Sequence, residues 1–293
     1  MIHVNNLQKK FKQKEVLQAV SFSIDEPKII ALVGHNGAGK STLLKLLAGR
    51  LQKDDGEVFV NELNPFQQLS VAKQTVLIED KMPFDGGLTI LEHFKWAGKF
   101  YPNWQQELAE KLCEYAGIAI KNKYMVLSKG QAATFRLIYG LCTRSPYTYL
   151  DEPMNGMDDA IRSDFYRVIL KEYIEAPRTI IFSTHYLHEI KQLVEDVMIL
   201  HDGNIKLYAS IDELEQYAVV VKGETTLAKT QLHQAEILYE NEHEGYYEAV
   251  VKTTSIHVAD LKANGLHVSN AEAHVVARHL TTFRKGGLDH VYK

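Results

Sequence analysis

A glycine-rich segment between an apolar run and a helix-forming run constrains this chain more than any other part of it. Residues 34–42 read GHNGAGKST and match the pattern G-x-x-x-x-G-K-[ST] of a phosphate-binding loop. The apolar, β-branched end of residues 28–33 predicts a buried strand. Residues 42–50 favour a helix with apolar side chains on every side. Strand, glycine loop and helix together are the context that the pattern requires, which argues against a chance glycine turn.

The residue types in this loop suit an anion. Gly37 and Gly39 allow a tight turn without a Cβ in the way, so that backbone N–H groups and the helix N-terminus point at the ligand. Lys40 is expected to reach terminal phosphates, and the Ser41 hydroxyl to hold Mg²⁺. The predicted phosphate-binding set is Gly34, Asn36, Gly37, Gly39, Lys40, Ser41 and Thr42.

Length, charge and hydropathy limit the number of domains and the classes of partner that the chain is expected to have. A chain of 293 residues suggests about two domains. The formal net charge is −4 and no segment is rich in Lys and Arg, so no nucleic-acid partner is expected. The N-terminus is polar by the fifth residue, unlike a secretory signal. No run of about 18 apolar residues is present, so no segment is expected to span a bilayer.

Cysteine and histidine usage indicates no metal or disulfide framework. Cys113 and Cys142 are far apart in helix-like sequence, which favours buried thiols in a reducing cytosol. The thirteen histidines show no metal-type cluster at short spacing. All of them except His185 are therefore interpreted as surface or structural residues.

The chain ahead of the phosphate loop contains one aromatic residue of interest. Residues 2–4 and 21–24 alternate apolar and polar as strands do, and Phe11 lies between them in a polar loop. An aromatic ring there could stack on adenine. The local sequence alone favours a lone Phe11 packing under a hairpin.

Short strands alternate with helices after the loop, which predicts a mostly parallel sheet covered by helices. The predicted strands are residues 57–60, 75–78, 147–150 and 179–182. Asp151 and Glu152 follow the third of these, at the end of a parallel strand where α/β sheets bind ligands. Ser128 is a predicted helix N-cap.

Residues 88–127 are predicted to be helical and are rich in aromatic side chains. Such aromatics are most often core, but their number in one segment also fits a docking surface. They are Phe94, Trp96, Phe100, Tyr101, Trp104 and Tyr115.

From residue 211 the sequence contains no further nucleotide-binding motif and has a different pattern of predicted elements. Strands are predicted at 217–222, 235–239 and 246–251, with the last two joined by a polar turn, and a helix at 270–282. These elements indicate a small α+β accessory domain that begins near residue 215. Its polar end, residues 284–293, is expected to be loosely held.

Five motifs in order make a family resemblance specific. The set GHNGAGKST, LSKGQ, YLDEP, NGMD and STH resembles the ATPase subunit of ABC transporters over about residues 1–210. The resemblance implies an α/β P-loop NTPase domain, residues 1–214, with a helical subdomain at about 81–140 and an accessory domain at 215–293. The chain is similar to bacterial exporters with separate ATPase and membrane subunits, in particular peptide and multidrug exporters of the phenol-soluble-modulin type.

The resemblance implies roles for four residues of one chain. Asp151 would hold Mg²⁺, and Glu152 would be the general base for the attacking water. His185 would contact the γ-phosphate. Phe11 would stack on adenine, which reverses the local preference for packing under a hairpin.

The resemblance also divides the site between two chains. Ser128, Gly130 and Gln131 would cap the ATP of a second subunit, and Asp158 would communicate between the two sites. The implied cofactors are ATP and Mg²⁺, and the implied partners are a second ATPase subunit, as a homodimer, and a polytopic membrane protein. The chain would be peripheral, on the cytoplasmic face of the cell membrane. A helix of the membrane protein would dock between residues 80–87 and the helical insert, against the side chains of Phe84, Phe94, Trp96 or Tyr101.

Two residues depart from the family pattern. Asp80, with Glu79 beside it, takes the place of the usual Gln that touches Mg²⁺ and water, so weaker or more magnesium-dependent ATP contact is expected. Lys129 replaces the usual Gly and is expected to point to solvent. Neither change removes a catalytic group, so an active ATPase is predicted.

Two alternative functions, and two possible roles for the accessory domain, remain at this stage. A soluble ABC-type ATPase acting on nucleic acid or ribosomes usually has paired ATPase domains, zinc-binding inserts or long coiled coils, which this sequence lacks. A regulator that does not hydrolyse nucleotide is disfavoured by Glu152 and His185. The accessory domain could strengthen the dimer or sense a ligand and restrain activity, and dimer support is favoured.

Overall fold

A computed structural model of the chain describes residues 1–281. The strands are β1 (Ile2–Phe11), β2 (Lys14–Ile24), β3 (Ile29–Val33), β4 (Asp55–Val60), β5 (Thr75–Ile78), β6 (Tyr147–Asp151), β7 (Thr179–Thr184), β8 (Asp196–His201), β9 (Asn204–Ser210), β10 (Ala218–Glu224), β11 (Ile237–His243), β12 (Tyr246–Lys252) and β13 (His267–Asn270). The α-helices are α1 (Lys40–Leu47), α2 (Leu69–Ala72), α3 (Ile90–Phe100), α4 (Gln106–Tyr115), α5 (Lys129–Cys142), α6 (Asp159–Glu175), α7 (Leu187–Ile190), α8 (Ile211–Tyr217), α9 (Thr225–Gln231), α10 (Val258–Ala263) and α11 (Ala273–Leu280).

The centre of the molecule is a sheet with the order β5-β6-β7-β3-β8-β9. Its strands pair in parallel except β8 with β9, which confirms the predicted mostly parallel sheet for residues 75–78, 147–150 and 179–182. The predicted strand at 57–60 instead belongs to β4, which pairs antiparallel with β1 in another sheet. All five residues of β3 are buried. Ile30 and Leu32 join the core on one face, and Ile29, Ala31 and Val33 join the core on the other. This continuous apolar run therefore supports two hydrophobic layers, as expected for a strand covered on both faces.

A second, antiparallel sheet with the order β2-β1-β4 packs with α1 against one face of the central sheet. The prediction that Phe11 lies in a loop between short strands is wrong. Phe11 pairs with Lys14 at the end of a long hairpin, so the turn is confined to Lys12 and Gln13. Lys12 has a positive φ of 55°, which closes this two-residue turn.

The aromatic-rich helices α3, α4 and α5 cover the other face of the central sheet. Phe94 is completely buried, so the proposal that it could dock a partner is wrong. Helical spacing explains the burial, because Ile90, Phe94 and Ala97 share one face of α3 and point into the core. Trp96 lies on the opposite face and is 60% exposed.

The C-terminal part forms an antiparallel sheet with the order β11-β12-β10-β13. Three short elements of this part, β13, α9 and α10, were not predicted from the sequence. Helices α9 and α10 cover one face, with a separate small core. On the other face, α11 packs against α7 and α8, and its residues Val276 and Ala277 belong to the core of the ATPase part.

The boundaries of the predicted C-terminal elements change in two places. The turn between β11 and β12 is shorter than predicted, because the strands pair as far as His243 and Tyr246. The predicted helix at 270–282 is present as α11, and its last predicted residue and the polar segment 284–293 lie outside the described residues.

Candidate nucleotide-binding site

The phosphate loop joins the buried end of β3 to the start of α1. Gly37 and Gly39 have φ of +88° and +111°, a conformation that side-chain-bearing residues rarely adopt. A Cβ on Gly34 would lie 2.4 Å from the backbone oxygen of Leu200. The glycines are therefore required by backbone conformation at two positions and by close approach of another chain segment at the third.

The loop directs backbone donors outward. The N–H of Ala38 bonds to the carbonyl oxygen of His35 at 3.1 Å, and the N–H of Leu43 bonds to that of Gly39 at 2.9 Å. Among the described residues, the N–H groups of residues 39–42 have no backbone acceptor. Unpaired N–H groups at the first turn of a helix form a site for an anion.

Lys40 lies at the bottom of this loop, with only 6% of its side chain exposed. Its Nζ donates to the carbonyl oxygens of Gly34, at 2.6 Å, and His35, at 3.3 Å. It also lies 3.5 Å from Oε1 of Glu152. The lysine is thus held between the loop and the carboxylate that follows β6.

Glu152 joins the phosphate loop to the segment after β7. Nδ1 of His185 lies 3.1 Å from both carboxylate oxygens of Glu152. Glu152 itself has a φ of +47°, which is strained for a residue with a side chain and turns it away from the line of the strand. The fold therefore brings together three residues that are 33 to 145 positions apart in the sequence: Lys40, Glu152 and His185.

Ser183 holds this arrangement in place, a role that was not predicted from the sequence. Its completely buried side chain donates a hydrogen bond of 2.6 Å to Oδ1 of Asp151 and accepts one of 2.9 Å from the N–H of Glu152. Asp151 and Ser183 are register partners in the β6–β7 pair. The available signal was Ser183 in the STH motif, at the end of a strand predicted to lie near the acidic pair.

The donor chemistry at this edge of the sheet suits Mg²⁺. Ser41 presents an exposed hydroxyl at the start of α1, and Asp151 presents a half-buried carboxylate at the end of β6. Hydroxyl and carboxylate oxygens are the ligand types that Mg²⁺ prefers in proteins. The residues present therefore fit the ion that the sequence analysis expected.

Asp80 and Glu79 have different surroundings. Glu79 is paired with Lys45 at 2.9 Å and Arg50 at 3.0 Å, on the side of the first helix. Asp80 lines a cavity of about 600 Å³ together with Asp151 and Glu152. Asp80, rather than Glu79, is thus the carboxylate on the side of the acidic pair.

Arg136 of α5 pairs with Asp80, and this contact was not expected from the sequence. Its Nη2 lies 2.8 Å from Oδ1 of Asp80. The arginine side chain is only 11% exposed, whereas that of Asp80 is 86% exposed. In this structure the carboxylate of Asp80 is therefore paired with a cation of α5 while it stays open to solvent.

The predicted N-cap at Ser128 is confirmed. Its hydroxyl accepts the N–H of Gln131 at 3.2 Å, and the Gln131 side chain accepts the N–H of Ser128 at 3.1 Å, which forms a capping box. Lys129 is exposed, as predicted. Among the described residues, Ser128 and Gln131 share no hydrogen bond with Lys40 or Glu152.

Asp158 lies close to the start of α5 in the same chain. It is exposed, at the residue before α6. A Cβ on Gly130 would lie 3.2 Å from the backbone oxygen of Gly156 and 3.9 Å from Oδ2 of Asp158. The segment at 155–158 therefore connects the acidic pair after β6 with the exposed helix start at Ser128.

Phe11 projects from the tip of the β1–β2 hairpin. Its side chain is 46% exposed, so it is not packed as a core residue. Nζ of Lys9 lies 5.4 Å from the centre of the ring. An exposed aromatic face with a cation beside it can stack on a base.

The described helices include none that is both long and apolar enough to cross a lipid bilayer. The two cysteines, Cys113 and Cys142, are free and buried, as predicted. Burial raises the pKa of the Cys113 thiol to about 12. These thiols are therefore packing groups rather than nucleophiles.

Comparisons with known proteins identify the family. The profile of the family described as ABC transporter matches residues 17–155. The chain is 34% identical over 214 residues to the uncharacterized ABC transporter ATP-binding protein MJ1023 of Methanocaldococcus jannaschii, covering 73% of this chain and 79% of that protein. It is 30% identical over 220 residues to the uncharacterized ABC transporter ATP-binding protein YdbJ of Bacillus subtilis, covering 74% and 71%.

A solved structure shares the fold. It is described as the dimeric structure of a post-hydrolysis state of the ATP-binding cassette MJ0796 bound to ADP and Pi, and superposes with a TM-score of 0.64. The match covers 72% of this chain and 98% of that chain at 20% identity. The chain belongs to the ABC transporter family, as an ATP-binding subunit with the P-loop ABC ATPase fold.

Proposed function

We propose that two copies of this chain hold two ATP molecules between them and that hydrolysis drives a separate polytopic membrane subunit. The observation that carries the hydrolytic role is the contact of Lys40 and His185 with Glu152 at the edge of the sheet. A lysine, a carboxylate and an imidazole at the mouth of a phosphate loop can place a triphosphate and accept a proton beside it.

In this proposal Glu152 accepts a proton from the attacking water. His185 and Lys40, which contact Glu152 in this structure, turn toward the γ-phosphate when it enters and leave the carboxylate to the water. Mg²⁺ held by Ser41 and Asp151 would neutralise charge on the phosphate oxygens. Gly34, Asn36, Gly37, Gly39 and Thr42 form the backbone cradle, and Phe11 stacks on adenine; Asp80 completes the site beside the ion.

The second half of each site comes from the other copy. Ser128 is exposed, and because its oxygen already accepts the N–H of Gln131, its O–H remains able to donate to a phosphate. Gly130 is contributed by the same helix start, whose dipole favours an anion. Asp158, which lies next to Gly130, would couple the two ATP sites, so that closure of one site around its ATP affects the other.

Mixing two inactive variants tests this division sharply. Lys40→Ala removes the lysine that binds the terminal phosphates. Ser128→Arg prevents Ser128 from contacting the ATP bound by the other copy. Each variant alone should therefore lose ATP turnover. A mixed dimer contains one site with both halves intact, and turnover should reappear on mixing. Lys40→Ala mixed with Glu152→Gln is the control. Both residues belong to the half-site that binds a chain's own ATP, so each of the two sites in a mixed dimer still contains one inactive half. Recovery in neither mixture would contradict the divided site.

A single variant tests the role of Glu152. Glu152→Gln should bind ATP with nearly unchanged affinity, stop turnover and form an ATP-dependent dimer that sedimentation velocity detects. Glu62→Gln, an exposed change away from the site, is the control. Unchanged turnover in Glu152→Gln would contradict the proposal.

We propose export of peptides or amphipathic compounds as the work that hydrolysis drives. The support is the resemblance to exporters with separate ATPase and membrane chains and a short C-terminal domain. The receiving surface would lie at residues 80–87 and the exposed side of α3, where Trp96 and Phe100 are 60% and 39% exposed. The chain would act at the cytoplasmic face of the membrane. Co-purification with a polytopic partner, lost in Trp96→Glu and retained in Tyr246→Glu, tests this docking.

The accessory domain, residues 215–293, is proposed to support the dimer. Its helix α11 packs against α7, which directly follows His185 and Tyr186. A chain that ends at Tyr217 should therefore dimerise less readily with ATP. Dimer formation at the same ATP concentration in the shortened and full chains would count against this role, provided that the shortened chain still binds ATP.

A further inference from the structure

The turn between β8 and β9 lies against the phosphate loop. The N–H of Gly203 donates to the carbonyl oxygen of Ala38 at 3.2 Å, and the carbonyl oxygen of Gly203 accepts the N–H of Gln18 at 2.8 Å. Leu200 approaches Gly34 closely enough to exclude a Cβ there. This packing brings the residues of the turn beside the loop although they are more than 160 positions away in the sequence.

Three potential metal ligands converge as a result. Nε2 of His35 lies 3.6 Å from Oδ1 of Asp202, and Nε2 of His201 lies 3.5 Å from Oδ2 of the same carboxylate. One ligand atom from each of the three side chains falls within 4.8 Å of the others. Four-coordinate zinc with bonds of about 2.0–2.2 Å places its ligand atoms about 3.3–3.6 Å apart. The two histidine-to-carboxylate separations are therefore close to those of a zinc site, with each histidine facing one oxygen of Asp202.

The orientation of His35 also fits metal binding. Its Nδ1 lies 2.8 Å from the carbonyl oxygen of Asn36. In the tautomer that donates this hydrogen bond, Nε2 carries the lone pair on the side of Asp202. A histidine that ligates a metal through one ring nitrogen commonly donates its other N–H to a carbonyl oxygen, which fixes the tautomer and the ring orientation.

Burial suits an open, three-ligand site. The side chain of His201 is 13% exposed, that of His35 is 29% exposed and that of Asp202 is 49% exposed. The site thus has a packed side, formed by the histidines, and an open side on which water could complete the coordination. Two imidazoles and one carboxylate form a ligand set that zinc accepts, whereas Mg²⁺ prefers oxygen ligands alone.

We propose that His35, His201 and Asp202 form a binding site for a divalent transition-metal ion, with Zn²⁺ the best fit. This site is separate from the magnesium ligands Ser41 and Asp151. Because His35 belongs to the phosphate loop, a bound ion would tether the loop to the β8–β9 turn.

Calorimetric titration of the nucleotide-free full chain with ZnCl₂ in a non-chelating buffer tests the site. The expected result is one tightly bound ion per chain, with the dissociation constant raised at least about tenfold in His201→Ala and in Asp202→Asn. His243→Ala, an exposed histidine on β11, is the matched control and should bind as the unaltered chain does.

A second measurement separates ligand loss from misfolding. Co²⁺ bound by two imidazoles and a carboxylate should give visible absorption, which Asp202→Asn should lose while its thermal unfolding without metal stays unchanged. Absence of tight binding, or equal affinity in all three variants, would overturn the proposal. Equal affinity would identify an adventitious surface histidine as the zinc ligand.

Discussion

Ser183 and Asp151 occupy the same register position on neighbouring parallel strands, and the serine Oγ donates a 2.6 Å hydrogen bond to Oδ1 of the aspartate. The same Oγ accepts the N–H of Glu152. One buried hydroxyl therefore fixes both the carboxylate proposed to hold Mg²⁺ and the backbone of the proposed general base. It acts by positioning these residues.

Ser183→Ala should lower turnover about tenfold to a hundredfold, because small misplacements of reacting groups have effects of that size. It should also lower the free energy of unfolding by about 1–3 kcal/mol, since a buried polar group loses its partner. Ser255→Ala is a matched control, because Ser255 Oγ also donates to one acceptor and accepts one backbone N–H. Steady-state ATPase rates and chemical denaturation check both effects; a loss of turnover in both variants would contradict a positioning role.

Gly39→Ala and Gly37→Ala should differ in severity. A Cβ on Gly39 would lie 2.8 Å from Cδ2 of Leu17 and 2.9 Å from the oxygen of Val16, whereas one on Gly37 would meet no atom of residues 1–281 within 4 Å. Both positions have positive φ, so each variant should lose about 1–3 kcal/mol of stability from backbone strain. Gly39→Ala should lose more and bind ATP more weakly. Denaturation curves and fluorescent-nucleotide titrations measure this, and equal effects would contradict the steric argument.

Asp80→Gln should make ATP binding less dependent on Mg²⁺. It removes a negative charge from the cavity that contains Asp151 and Glu152. A unit charge at about 4 Å in a watery site is worth about 1 kcal/mol, so the shift should be near fivefold. ATP titrations at several Mg²⁺ concentrations measure it, with Asp260→Asn in α10 as a control of equal charge change. Unchanged Mg²⁺ dependence would show that Arg136 already neutralises Asp80 fully.

Acidification should destabilise the chain partly through His93. Burial lowers the pKa of His93 below the 6.5 of a free imidazole, against the effect of its hydrogen bond to the carbonyl oxygen of Asp85. The unfolded chain therefore binds the proton more readily, and the free energy of unfolding should fall as the pH drops below about 6.5. Above that pH this contribution should be constant.

The matching measurement compares chemical denaturation at pH 7.5 and pH 5.5 in the unaltered chain and in His93→Gln. The variant should lose less stability on acidification. His279, whose pKa burial also lowers, is present in both proteins, so the difference isolates His93. An equal loss in both proteins would contradict this assignment.

The features that the sequence predicted well are those set by a few neighbouring residues. The positive φ of Gly37 and Gly39 follows from a motif nine residues long. The N-cap at Ser128 follows from a helix start, with Gln131 three residues later completing the capping box. The central strands follow from continuous apolar runs such as residues 29–33. Family resemblance added roles for Glu152 and His185, which local patterns could not assign.

Tertiary structure decided which side chains meet. Phe94 and Trp96 are both aromatic and two positions apart, yet one is buried and the other exposed, because the phase of α3 against the sheet selects one face. Asp80 meets Arg136 over 56 positions, and His35 meets His201 over 166, because separate elements pack at one edge of the sheet. Local conformation depends on steric limits and hydrogen bonds within a few residues, whereas these contacts depend on how whole layers pack, which no short stretch of the sequence specifies.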